Sequence, residues 1–120
     1  MYDFDSNRPI YIQLMDHIKM QIVAGAFSAG SKLASVRDLA SDFGVNPNTM
    51  QRALSELERE DLLFAQRTSG RFVTEDQQKI DGLRKQLATE YVQQLLETMK
   101  RMGYGKKDLL SLIQSIMEEM

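Results

Sequence analysis

The segment from Asn46 to Arg52, NPNTMQR, places amide, hydroxyl and guanidinium side chains close together. Asn and Gln can pair with the major-groove edge of adenine, Arg with that of guanine, and Thr can contact the thymine methyl group. In a helix the polar side chains share one face: Asn48, Thr49, Gln51, Arg52 and Ser55. The opposite face is apolar: Met50, Ala53, Leu54 and Leu57. This pattern is typical of a helix that reads DNA bases.

Two short helices joined by a tight turn are predicted around this segment. Ser35, with Asp38 three residues later, is a capping signal for a first helix, and Gly44 is a stop signal. Asn46 then caps the second helix, and Pro47 suits its first position. The arrangement is a helix-turn-helix. On spacing alone, an ordinary pair of surface helices with solvated polar residues explains it equally well.

A β-hairpin is predicted directly after these helices. The sequences LLFAQ and RFVTE have strand character, and the Ser69-Gly70 pair between them is a turn signal. A hairpin in this place is a wing, whose Arg67, Thr68 and Arg71 can reach phosphates or a minor groove. The alternative is a plain surface hairpin with exposed arginines.

Residues 9–24 read as an amphipathic first helix with Pro9 near its start and Gly25 just past its end. Residues 26–34 form a connector to the helix-turn-helix. The only histidine, His17, lies beside the apolar stripe of the first helix and is interpreted as a structural or surface residue rather than a metal ligand.

The composition favours one domain of ordinary size, or a small domain with an appendage, since the chain has 120 residues and 42% hydrophobic content. The absence of cysteine excludes disulfides and thiolate metal sites and fits a cytoplasmic protein. No apolar run is long enough to span a membrane, and Asp3 and Asp5 have the wrong charge for a signal peptide. No nucleophile with a base, phosphate loop or metal cluster is evident, so we expect no enzyme, cofactor or metal.

Residues 77–120 are predicted to form two helices separated by Gly103-Tyr104-Gly105. Two helices cannot bury such wide apolar stripes against each other alone, so a second copy of the chain is expected to cover them. The alternative is that they fold back on the domain that precedes them. The residues expected at the dimer contact are Leu83, Leu87, Tyr91, Leu95, Met99, Leu109, Ile113 and Ile116.

Residues 9–74 resemble the N-terminal winged-helix domain of the GntR family of bacterial transcription regulators. The resemblance lies in PIYIQL, IVAGAFSAGSKL, SVRDLASDFGVNPNTMQRALSELE and SGRFV, while NPNT and the short tail are most similar to the YtrA-like branch. It implies a mainly α fold with a small hairpin: a winged helix-turn-helix domain at 1–76, then a helical dimerisation segment at 77–120. It further implies sequence-specific binding of a homodimer to an inverted-repeat operator, usually repression, without enzymatic activity.

The resemblance also implies which residues face DNA. The family's backbone contacts fall on Ser35 and Arg37, and its wing tip falls on Gly70 and Arg71. Around the recognition helix its DNA-facing positions fall on Asn46, Asn48, Thr49, Gln51 and Arg52.

Two departures from the family pattern are present. Ala29-Gly30 and Leu33-Ala34-Ser35 stand where the family commonly has Pro-Gly and Leu-Pro-Ser, so the start of the second helix is less rigidly preset. Pro47 or Asn48 stands where many members carry Arg, which favours adenine readout through Asn.

The 44-residue tail is too small to enclose a separate effector domain, so any small-molecule effector would bind between helices or at the dimer interface. The alternative function is a protein-interaction adaptor built on a winged helix that does not bind DNA, which the net charge of −2 leaves open.

Overall fold

The computed structural model describes residues 3–120, so Met1 and Tyr2, with which the predicted first domain begins, lie outside the described residues. Five helices and one two-stranded antiparallel sheet are present in this part of the chain. In chain order they are α1 (Ile10–Val23), α2 (Val36–Phe43), α3 (Pro47–Arg59), β1 (Leu63–Gln66), β2 (Gly70–Val73), α4 (Gln77–Arg101) and α5 (Lys106–Glu119). The predicted fold class is confirmed.

The helix-turn-helix forms because its boundary residues satisfy the helix ends. Ser35 caps α2 by accepting a hydrogen bond from the Asp38 N–H at 3.1 Å, and Gly44 ends the helix at a φ of 71°. Asn46 caps α3 by accepting from the Asn48 N–H at 2.7 Å, and Pro47 occupies the first turn. The predicted caps are thus confirmed, and α3 begins at a fixed residue.

The core of the first compact unit, Met1–Leu83, lies where α1 and α2 pack on α3. The apolar face predicted for α3 is fully buried: Met50, Ala53, Leu54 and Leu57 are each at most 1% exposed. Leu14 and Ile18 of α1 are completely buried as well. Because one face of α3 is held in this core, its polar face is directed outward.

A buried polar contact anchors the segment before α1. Gln13 is 6% exposed. Its Oε1 accepts from the Asp5 N–H at 2.7 Å, and its Nε2 donates to the Asp5 and Arg8 carbonyl oxygens at 2.6 and 2.9 Å. This amide satisfies three backbone groups and ties residues 5–8 to α1.

The hairpin is paired on both sides of β2. Its register sets Phe64 opposite Phe72, and the two rings stack with centroids 5.5 Å apart. On the other side Lys32 forms an antiparallel bridge with Phe72, where Leu33 donates to the Arg71 carbonyl and Val73 donates to the Ser31 carbonyl. The predicted connector therefore forms part of the sheet edge.

The second compact unit, Arg84–Met120, contains most of α4, the turn at Gly103 and α5. Only Met99 and Leu109 are buried in it. The predicted domain boundary between residues 76 and 77 coincides with the start of α4, while the first unit extends through Leu83 and includes the buried Ile80. Within residues 3–120, none of the helices has the length and apolar character needed to cross a membrane.

Candidate nucleic-acid interface

The polar face of α3 is open to solvent over its first two turns. Asn48, Gln51 and Arg52 are exposed, and Thr49 is half-buried. Asn46 uses its Oδ1 as the helix cap, which leaves its amide N–H groups available. A helix of 13 residues is about 20 Å long and fits the major groove of DNA.

The start of α2 and the wing tip supply positive charge beside this helix. Ser35 and Arg37 are exposed at the N-terminal end of α2, and Arg67 is exposed at the wing tip. Among residues 3–120, no acidic side chain forms an ion pair with Lys32, Arg37 or Arg67. These three side chains can therefore neutralise phosphates without first breaking an intramolecular pair.

Gly70 lies where the wing approaches the connector. Its φ of 108° is in the region that favours glycine, and a Cβ there would be 3.3 Å from the Lys32 Cε. A side chain at this position would be strained, and the end of the Lys32 side chain would have to move by a few tenths of an ångström.

Arg71, which is predicted to contact DNA, has intramolecular partners in the structure. Its side chain is only 19% exposed, and its Nε donates to Glu58 Oε1 in an ion pair. Its Nη1 donates to Gln51 Oε1 at 3.4 Å. Arg71 thus joins the wing to α3.

Arg52 also has an intramolecular partner. Its guanidinium carbon lies 3.8 Å from the centroid of the Tyr11 ring on α1, which is a cation–π contact. Since Arg52 is nonetheless exposed, the contact holds the side chain against α1 at the edge of the polar face.

The residues predicted to form a dimer contact fall into two groups. Leu83, Met99 and Leu109 are buried within the single chain, and Leu83 belongs to the first unit. The others are half-buried or exposed: Leu87, Tyr91, Leu95, Ile113 and Ile116. This second group is accessible to another copy of the chain, and its role in dimerisation stays a prediction.

Sequence analysis missed Glu58, Tyr11 and Lys32 as neighbours of the polar face. Glu58 was detectable, because its spacing of seven residues from Gln51 places both on one side of α3. Tyr11 and Lys32 reach the site through packing of distant segments, for which the sequence carries no local signal.

The family model for "Bacterial regulatory proteins, gntR family" matches residues 10–73. The chain is 36% identical to the uncharacterised HTH-type transcriptional regulator YhcF of Bacillus subtilis, over 96% of this chain and 95% of YhcF. It is 39% identical to the HTH-type transcriptional repressor YtrA of the same organism, over 59% of this chain and 55% of YtrA.

Solved structures agree with these matches. A GntR family transcriptional regulator from Listeria monocytogenes superposes with a TM-score of 0.86 at 36% identity, covering 93% of this chain and 98% of that one. AraR(DBD) in complex with operator ORR3 superposes with a TM-score of 0.53 at 27% identity, covering 62% of this chain and 87% of that one. The family model, the similarity to YhcF and the superposition on the Listeria monocytogenes structure all agree. This chain therefore belongs to the GntR family of transcriptional regulators.

Proposed function

We propose that this chain is a sequence-specific DNA-binding transcription regulator of the YtrA-like type that acts as a homodimer on an inverted-repeat operator. The observation that carries the proposal is the exposed polar face of α3 beside a wing, with its apolar face fixed in the core. Resemblance to the repressor YtrA and to AraR(DBD) bound to an operator supports repression through operator binding.

The residues of α3, of the start of α2 and of the wing have different roles in this proposal. Asn48, Thr49 and Gln51 read base edges from the first turns of α3, and Arg52 contacts DNA from the edge of that face. Ser35 and Arg37 bind phosphate at the start of α2, where Ser35 keeps its hydroxyl hydrogen for donation. Gly70 allows close approach of the wing backbone.

The second copy of the chain binds the apolar surface of α4 and α5. Tyr91, Leu95 and Ile116 are 58%, 48% and 50% exposed, which is a large apolar area for helices of a single chain. A two-fold dimer would place its recognition helices about one helical turn of DNA apart, about 34 Å, on an inverted repeat.

Regulation of transcription needs no catalytic step, and we assign none to this chain. A small-molecule effector, if one acts, would bind between the helices of the C-terminal segment or at the dimer interface. We also propose a cytoplasmic location, since a regulator of bacterial operators must reach the chromosome there.

The experiment that tests the proposal is selection from a random-sequence DNA pool at two salt concentrations, together with the mass of the protein in solution. We expect a dimer to enrich an inverted repeat. Lys32, Arg37 and Arg67, which form no ion pair among residues 3–120, make six such cations per dimer, so log affinity should fall against log salt with a slope of about −5.

Asn48→Ala should reduce enrichment of the repeat, whereas Gln78→Ala, which removes an exposed amide near the start of α4 in the first unit, should leave it unchanged. If the folded dimer enriches no sequence, the proposed DNA reading is wrong. The adaptor alternative would then be favoured if partner binding depended on the C-terminal helices and ignored Asn48→Ala.

A further inference from the structure

Arg71 extends from β2 across one face of α3. Gln51, Ser55 and Glu58 follow each other on that face at steps of four and three residues. The Arg71 guanidinium is paired with the Glu58 carboxylate through Nε and reaches Gln51 Oε1 through Nη1 at 3.4 Å. The second contact is long for a hydrogen bond and is the weaker of the two.

The Gln51 amide is thereby given a direction. Its Oε1 accepts from Arg71, and its Nε2 donates to Ser55 Oγ at 3.2 Å. Rotation of the amide by half a turn would point its NH₂ at a guanidinium, which has donors and no acceptor. The observed orientation is therefore favoured over the rotated one.

The oriented amide retains one oxygen lone pair and one N–H for a ligand. Gln51 is exposed, so both groups are open to a partner outside the chain. An acceptor beside a donor at this spacing matches the N6 amino group and N7 of adenine. The preset orientation thus favours one base over the others.

Arg71 is poorly suited to the phosphate contact predicted from the sequence. Its charge is already balanced by Glu58, and its side chain is largely buried. Binding a phosphate would break this pair and leave Glu58, which is 29% exposed, close to the DNA backbone without a partner.

We propose that Arg71 is a positioning residue that sets the Gln51 amide to read adenine, and that Glu58 holds Arg71 in place. This inference rests on the proposed function, because it concerns how the same face of α3 selects its operator. It assigns Glu58 a part in base specificity although Glu58 itself does not touch DNA.

The test measures base preference at the operator position read by Gln51, defined as the position whose preference disappears in Gln51→Ala. Arg71→Lys keeps a positive charge but loses the planar fork that reaches two acceptors. We expect it to weaken the adenine preference by about threefold to tenfold, part of the discrimination of a bidentate pair, with the salt slope unchanged.

Arg59→Lys is the matched control, because Arg59 is the last residue of α3, is 77% exposed and pairs with Glu56 rather than with Glu58 or Gln51. It should leave the base preference unchanged. Glu58→Gln should weaken preference at the Gln51 position in the same way as Arg71→Lys.

A phosphate role for Arg71 predicts the opposite pattern. Arg71→Lys would then keep both affinity and base preference, and Glu58→Gln would raise affinity for every sequence by releasing the guanidinium. Either result overturns the inference. A merely structural role would lower affinity for all sequences equally without changing base preference, and this result also overturns it.

A measurement on the DNA-free protein separates this inference from the proposed function. The side-chain amide resonances of Gln51 should shift in Arg71→Lys and in Glu58→Gln, but not in Arg59→Lys. If they do not move, the inference is wrong whether or not the protein binds DNA. If these resonances shift but the wild-type protein enriches no operator, the proposed function is wrong. The proposed reading of adenine by Gln51 is then wrong as well.

Discussion

The two compact units of the chain bury their apolar residues very differently. In Met1–Leu83 every helix and both strands contribute buried side chains to the core. In Arg84–Met120 only Met99 and Leu109 are buried, although this unit holds all the large exposed apolar side chains among residues 3–120 except Met20. The first unit can therefore complete its core within one chain, whereas the second leaves an apolar surface that we propose another copy covers.

The largest effect is expected from a core substitution in the first unit. Leu57 is completely buried on α3, so Leu57→Ala should lower the free energy of unfolding by about 3 kcal/mol through lost burial and a cavity. Denaturant unfolding measures the loss, and Ser41→Ala at an exposed position of α2 is the control.

The loss should be the same at low and high protein concentration, because this core lies within one chain. A difference between mutant and wild type that depends on concentration would show that the first unit also relies on a second copy.

A charged side chain introduced into the apolar surface of the second unit should weaken dimerisation. Leu95→Glu places a carboxylate in the exposed apolar surface, where a partner would have to bury it. We expect dimerisation to weaken at least about 100-fold, ~2.7 kcal/mol, measured as mass against concentration. Gln94→Glu adds the same charge at the preceding residue and should weaken dimerisation much less. An unaltered dimer in Leu95→Glu would place Leu95 outside the interface.

A smaller effect is expected from the buried amide of the first unit. Gln13→Ala removes the partner of three backbone groups of Asp5 and Arg8 and should cost about 1 to 2 kcal/mol of folding free energy. Denaturant unfolding gives the cost, with Gln93→Ala on exposed α4 as the control. A cost equal to that of the control would show that solvent replaces these hydrogen bonds fully.

The local features of this molecule could be predicted from the sequence. Ser35, Gly44, Asn46 and Pro47 each mark a helix end through their own backbone or side-chain chemistry, and each lies at the predicted place. Apolar spacing likewise identified the buried and exposed faces of α3, because a helix repeats its faces within a few residues.

Contacts between distant segments could not be predicted in this way. The bridge between Lys32 and Phe72 depends on how the chain returns after α3, and its two partners are 40 positions apart in the sequence. The same holds for Arg71 with Glu58 and for Arg52 with Tyr11. Residue type predicted these arginines to contact DNA, whereas three-dimensional packing gave each of them an intramolecular partner.

The pairing of β2 on both edges has a consequence for how the protein could change its target. β1 and the connector fix the hairpin up to Gln66 and from Gly70 onward, so the three residues between them lie beyond the ladder. This tip can be exchanged or lengthened while the paired strands stay in register. Substitutions or insertions at this tip can therefore add contacts to DNA outside the major groove without changing the core of the domain.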